Sequence, residues 1–195
     1  VIDKDMGMQT MLSCLDLYND VLGPARDEAQ AKIDRGYRLL VSAMQMMDPN
    51  KMWYPNANST MRLTYGQIKG YAPRDAIYYE YFTTQKGILQ KEDDANPEFV
   101  VPKRERDMLV DRDFGRYANA DGNLPICFLS DNDITGGNSG SPVINANGEL
   151  IGLAFDGNWE SMSGDISVDP ALNRTICVDI RYVLWVIDKY AGAKS

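Results

Sequence analysis

Ser139 stands in Thr135-Gly136-Gly137-Asn138-Ser139-Gly140-Ser141-Pro142, a stretch whose residue types suit chemistry better than packing. Its glycines free the backbone for dihedrals that other residues adopt at a cost, and they let a second molecule approach closely. If Ser139 is a nucleophile, the backbone amides of Gly137 and Ser139 can converge on one point and hold the oxyanion of a tetrahedral intermediate. Gly-Asn-Ser-Gly is also ordinary turn chemistry, so the motif needs its context to carry meaning. A serine hydroxyl further needs a general base near neutral pH, and imidazole is the usual one. The chain contains no histidine. Two alternatives therefore stand beside a serine hydrolase with an external base. One is a serine–lysine hydrolase using Lys69, Lys86 or Lys103, none of which sits in a recognisable motif. The other is a non-catalytic binding module.

The surrounding sequence predicts elements able to present such a loop. Leu124 to Leu129 reads as a strand delivering the chain into Ser130-Asp131-Asn132-Asp133-Ile134 and the serine loop. After Pro142, Val143-Ile144-Asn145, Ala146-Asn147-Gly148-Glu149 and Leu150 to Phe155 read as strand, Asn-Gly turn and strand. A polar, glycine-containing segment runs from Asp156 to Asp165. Arg174 to Ile180 reads as a last strand and Arg181 to Tyr190 as a closing helix ending at Ala191-Gly192. Upstream, Met61 to Tyr65 alternates, Gln67 to Tyr71 continues it, and Ala76 to Thr84 is β-branched and aromatic enough for a strand. Lys86 to Asn119 is charged and reads as a surface excursion with a short helix near Pro102 to Phe114.

The first fifty residues have a different texture. Met8, Met11, Leu12, Leu15, Tyr18 and Leu22 recur at three- and four-residue spacing, as do Ala29, Ile33, Tyr37, Leu40, Met44 and Met47. Gly23-Pro24 between the two stripes predicts a break and hence a helical hairpin. The domain reading is accordingly a helical piece over 1–50 and a β-rich domain over 51–195.

A chain of 195 residues can bury a real core. A formal charge of −8, with no basic run, excludes nucleic acid as the expected partner. No apolar run is long enough for a membrane span. Cys14, Cys127 and Cys177 are too widely spaced for a metal motif and read as buried free thiols. Val1 opens what already reads as a helical segment, which predicts that the true start lies elsewhere.

Asp133 to Val143, Gly152 to Glu160 and Arg174 to Val183 resemble the C-terminal part of the bacterial dipeptidyl peptidase seven and eleven family, closest to the seven type. Arg62-Leu63-Thr64-Tyr65-Gly66 and Tyr71-Ala72-Pro73-Arg74-Asp75 also resemble it, so the likeness covers essentially the whole chain. The resemblance implies a periplasmic or cell-surface serine exopeptidase of a Gram-negative bacterium. It implies a mainly β fold with α: a chymotrypsin-like C-terminal barrel with a terminal helix, preceded by a helical hairpin from an inserted domain. The triad histidine and aspartate would belong to the other barrel, N-terminal to these residues, so this chain alone is expected to be inactive.

On matching positions the resemblance makes Ser139 the nucleophile and the amides of Gly137 and Ser139 the oxyanion hole. It makes Asp156 a holder of the substrate's free α-ammonium. A carboxylate at fixed distance from a nucleophile measures a dipeptide from the chain end, because only that end offers the cation. Read on its own residues, Asp156 before Gly157 is a turn-forming aspartate. Gly157 matches the position where the acidic-specific type carries arginine. With no Lys or Arg between Ser139 and Arg174, nothing nearby offsets desolvation of a substrate carboxylate, and the expected P1 preference is hydrophobic. The implied partners are peptide substrates, the N-terminal barrel of the same protein and a second copy in a homodimer. No metal or organic cofactor is implied.

Overall fold

The computed structural model describes residues 4–51, 53, 60–162 and 168–193. The beginning of the first expected helix, at 1–3, and the end of the polar segment, at 163–165, lie outside the described residues. The chain divides into two units, Val1–Trp53 and Tyr54–Ser195.

The first unit is helical, and it corrects the expected hairpin. Helix α1 (Met6–Leu17) and helix α2 (Gly23–Met47) are joined by a π-helical turn over Tyr18–Leu22, so the backbone stays helical throughout. Asp5 caps the start, its carboxylate accepting the Met8 amide at 2.9 Å. Pro24 does not break the helix because of where it falls. Within the π turn the Gly23 amide reaches back five residues to the Tyr18 carbonyl, and the wider loop takes up the ring that would clash in an α-helical register. Neither helix buries a residue.

The second unit is built on antiparallel strands. Strands β1 (Tyr71–Arg74) and β2 (Ile77–Tyr79) form a separate two-stranded hairpin. Strands β3 (Phe82–Thr84), β4 (Pro125–Ser130), β5 (Pro142–Ile144), β6 (Leu150–Gly157) and β7 (Thr175–Asp179) form a sheet in the order β3-β4-β7-β6-β5. The sheet is open: the described strands form no closed barrel. The stretch Ala76–Thr84 is two strands rather than one, since Glu80 and Tyr81 carry the chain from the hairpin into the sheet. The charged excursion is more ordered than its composition implied, containing α3 (Gln85–Lys91) and α4 (Lys103–Val110).

The core lies where these helices meet α5 (Ile180–Trp185). Leu109, Phe114, Tyr117, Leu124 and Trp185 form one buried cluster, with Ile126 of β4 packed against it. Trp185 is fully buried and donates its indole N–H to the Asp113 carbonyl at 2.9 Å, so no polar atom is stranded. Asp179 starts α5 by accepting the Arg181 amide at 2.9 Å, while the Arg181 guanidinium grips the same carboxylate. This turns the chain from β7 back onto the sheet. Among the described residues, no helix is long and apolar enough to cross a membrane.

Candidate active site

The serine loop crosses one end of the sheet. It leaves β4 at Ser130 and enters β5 at Pro142, and β7 and β6 lie between those two strands. Thr175 of β7 donates its hydroxyl to the Asn132 carbonyl at 2.7 Å. Further on, the Gly140 amide donates to the Ala154 carbonyl at 2.7 Å and the Ala154 amide to the Ser141 carbonyl at 2.8 Å. The loop is thus stitched to β7 before its tip and to β6 after it.

Within the loop, Thr135 and Asn138 close a turn on each other. The Asn138 amide donates to the Thr135 carbonyl at 3.1 Å, and the Thr135 amide donates to the Asn138 carboxamide oxygen at 2.9 Å. Gly137 has φ +99° and Gly140 φ +82°, a region that side-chain-bearing residues occupy only at a cost. Ser139 therefore sits exposed at the apex between two left-handed glycines. The amides of Gly137 and Ser139 make no hydrogen bond among the described residues, so both remain able to donate to something outside the loop.

The Ser139 hydroxyl makes a single hydrogen bond among the described residues, donating at 3.3 Å to the Phe155 carbonyl. That carbonyl is available because β6 bulges there: Ala154 faces Cys177 and Asp156 faces Ile176, leaving Phe155 without a partner on β7. The next residue is Asp156. Its side chain is exposed and accepts its neighbour's amide, Gly157, at 2.8 Å. Ser139 and Asp156, seventeen positions apart in sequence, are thereby brought onto one bulge.

Gly157 closes β6 opposite Thr175. A Cβ built on it would run into the Ser161 hydroxyl, which donates to the Asn158 carbonyl at 2.7 Å. Asn158 is buried and holds this turn to the residues just before β7: its backbone amide donates to the Arg174 carbonyl at 2.9 Å, its carboxamide oxygen accepts the Arg174 amide at 2.8 Å, and its carboxamide nitrogen donates to Glu160 and to the Leu172 carbonyl. Glu160 also accepts the Tyr71 hydroxyl at 2.7 Å.

The three lysines weighed as bases are engaged elsewhere or exposed. Lys69 pairs with Asp131 at 2.5 Å, Lys103 with Asp107 at 2.6 Å along α4, and Lys86 lies exposed on α3. None of them contacts the Ser139 hydroxyl. Sequence reasoning did not single out Arg62 and Asp133, which form a half-buried ion pair against the loop. The available signal was an arginine set between Met61 and Leu63, since a cation in apolar company calls for a carboxylate.

A glycine-flanked serine with unclaimed amides, standing at the end of an antiparallel sheet, is an arrangement suited to an acyl-transfer enzyme. The chain belongs to the Peptidase S46 family, whose profile matches residues 3–195. It is 52% identical over 193 residues to dipeptidyl-peptidase 7 of Phocaeicola vulgatus, covering 99% of this chain and 27% of that protein. It is 45% identical over 193 residues to the Asp/Glu-specific dipeptidyl-peptidase of Flavobacterium psychrophilum, again covering 99% of this chain and 27% of the relative. Among solved structures, Porphyromonas endodontalis DPP11 in complex with substrate aligns over 95% of this chain and 27% of its own, with a TM-score of 0.80 and 42% identity. The chain therefore spans about a quarter of the length of the relatives it matches.

Proposed function

We propose that these residues are the nucleophile-bearing part of a serine dipeptidyl peptidase that releases dipeptides from peptide N-termini through an acyl-enzyme. The observation that carries this reading is the exposed Ser139 hydroxyl at the apex of a turn whose Gly137 and Ser139 amides are unclaimed among the described residues. In the reaction, Ser139 attacks the carbonyl of the second residue. A histidine from a portion N-terminal to this chain takes the hydroxyl proton and later returns it to the leaving amine, and the two amides hold the oxyanion. The open sheet is, on this reading, part of a chymotrypsin-like double barrel in the periplasm or at the cell surface.

Asp156 receives the substrate's α-ammonium. Its position one residue beyond the carbonyl that holds Ser139 supports this, because a carboxylate tied so closely to the nucleophile sets a short and constant reach. Gly157 opens the P1 pocket, and its missing side chain supports a hydrophobic P1 preference. The chain alone is inactive for want of a base.

The test is hydrolysis of fluorogenic dipeptide substrates with a hydrophobic or an acidic second residue. The chain is assayed alone and mixed with the N-terminal portion. Activity that appears only on mixing, favours the hydrophobic substrate and disappears in Ser139→Ala supports the reading. Turnover by the chain alone means that its base lies within it, and the assignment fails.

A further inference from the structure

A second element, remote in sequence, grips the serine loop. Residues 62–69 run alongside the end of β4 and the segment that follows it. The Gln67 amide donates to Asp131 and the Asp131 amide to the Gln67 carbonyl at 3.0 Å, while Ile68 bridges Ser130. The Lys69 amide donates to the Leu129 carbonyl at 3.2 Å, and Asn132 donates to the Thr64 hydroxyl at 3.1 Å. Gly66 approaches so closely that a Cβ there would meet the Asn132 amide nitrogen at 2.5 Å. This strap delivers Arg62 to the serine turn.

The Arg62 side chain is 5% exposed, and its guanidinium spans two acceptors. One terminal nitrogen pairs with Asp133, and the other donates to the Asn138 carboxamide oxygen at 3.1 Å. That oxygen also accepts the Thr135 amide at 2.9 Å. With two donors on one oxygen, the Asn138 side chain has a single orientation that satisfies both, and the peptide leading into Ser139 is fixed with it. A planar fork can bridge two acceptors in this way, whereas an ammonium is a point charge. Asp133 offsets the cost of burying the guanidinium.

We propose that Arg62 is a positioning residue for the nucleophile: through Asn138 it holds the Ser139 turn, and with it the Gly137 and Ser139 amides, in the reactive geometry. The inference rests on the reading of Ser139 as nucleophile. Arg62 does not touch substrate, so its loss acts on the chemical step rather than on substrate affinity. Misplacing a reacting group by about 1 Å from a distance costs on the order of 10²-fold in rate.

The experiment uses the complete peptidase. Ser139→Ala, Arg62→Gln, Arg62→Lys, Asn138→Ala and the double variant Arg62→Gln/Asn138→Ala are compared by kcat, KM and Tm. Lys69→Met, which removes another ion pair of the same strap, reports what mere loosening does. Arg62→Gln and Asn138→Ala should each lower kcat by about 10²-fold with KM held within about threefold, and the double variant should be no worse than either alone, as expected of residues acting as a unit. Arg62→Lys should fall between parent and Arg62→Gln, and Lys69→Met should keep the parent kcat. The proposal is overturned if Asn138→Ala or Arg62→Gln keeps the parent kcat, if their effects multiply, or if the loss appears in KM. Asn138→Ala leaves the Arg62–Asp133 pair intact, so it decides the matter even if Arg62→Gln fails to fold. Persistent turnover in Ser139→Ala would instead sink the functional reading itself.

Discussion

The hydroxyl of Ser139 donates to the carbonyl of Phe155 at 3.3 Å, across the bulge that sets Asp156 on the strand. One irregularity in β6 thus does two things. It frees a carbonyl to hold the serine side chain, and it shifts the ladder by one residue so that Asp156 faces Ile176. In a regular strand Phe155 would pair with β7, and its carbonyl would be spent there.

The two glycines before Asn138 make a controlled comparison. An added methyl group meets nothing within 4 Å at either Gly136 or Gly137, so packing does not distinguish them. Backbone conformation does: Gly137 has φ +99°, and Gly136 is not in that region. Gly137→Ala should therefore cost about 1–2 kcal/mol in the loop. Alanine keeps the backbone N–H, but relieving the strain turns it away from the oxyanion, which should lower kcat of the complete peptidase by up to about 10²-fold, the scale of losing one oxyanion donor. Gly136→Ala should be close to neutral. Steady-state kinetics on the pair, with Tm as control, checks this, and equal effects would remove Gly137 from the oxyanion hole.

Asp156→Asn keeps the size of the side chain and its ability to accept the Gly157 amide. It loses only the charge. If Asp156 holds the α-ammonium, kcat/KM on dipeptide substrates with a free N-terminus should fall by about 30-fold or more, the scale of losing one partner of a charge pair that bound substrate would cover. The same substrates capped by acetyl, which lack the cation, should be cleaved equally poorly by parent and variant. A uniform loss on both would make Asp156 structural.

Much of this arrangement was legible in the sequence, and what was not has a physical reason. The Asn145–Glu149 turn between β5 and β6, the strand over Pro125–Ser130 and the turn from β7 into α5 follow from local signals that the finished fold does not contradict. Gly23-Pro24 misled because a proline's cost depends on the hydrogen-bond register around it, and the π turn at Tyr18–Leu22 changes that register. The buried Gln85, which opens α3, falls between the strand expected to end at Thr84 and the charged excursion expected from Lys86, and nothing local marks it. Its role becomes visible only once its side chain accepts the Leu124 amide at 2.9 Å. Arg62 was hidden for the same reason, since a clamp across 76 positions has no local periodicity.

The contact between Gly157 and Ser161 predicts how a change of specificity must be made. Gly157→Arg alone should introduce a cation that favours acidic P1 residues. Its Cβ, however, displaces the Ser161 hydroxyl from the Asn158 carbonyl and disturbs the turn. Adding Ser161→Gly clears the space. The double variant should therefore shift the ratio of acidic to hydrophobic kcat/KM further than the single one, with a higher Tm. If the single variant performs as well as the double, Ser161 does not constrain the pocket.

Burial also writes a pH dependence into the sheet. Desolvation pushes the thiols of Cys127 and Cys177 up from their ordinary value of 9.0. Tyr182 is pushed up by burial and by donating at 2.8 Å to Glu105, which favours the protonated phenol. In each case the folded state holds its proton more tightly than the unfolded chain does. The resulting stability is complete below the unfolded pKa values and is lost as pH rises above about 9 toward the folded ones. The urea midpoint of this chain should fall between pH 7.5 and pH 10.5, and Cys177→Ala, Cys127→Ala and Tyr182→Phe together should flatten that fall. Of the three thiols expected to be buried, Cys177 is and Cys14 is not, because α1 buries no residue. Under thiol-specific alkylation at pH 8, Cys14 should therefore react in the native protein and Cys177 only after unfolding. A midpoint that does not move with pH, or rapid native labelling of Cys177, would show that the sheet interior is open to water.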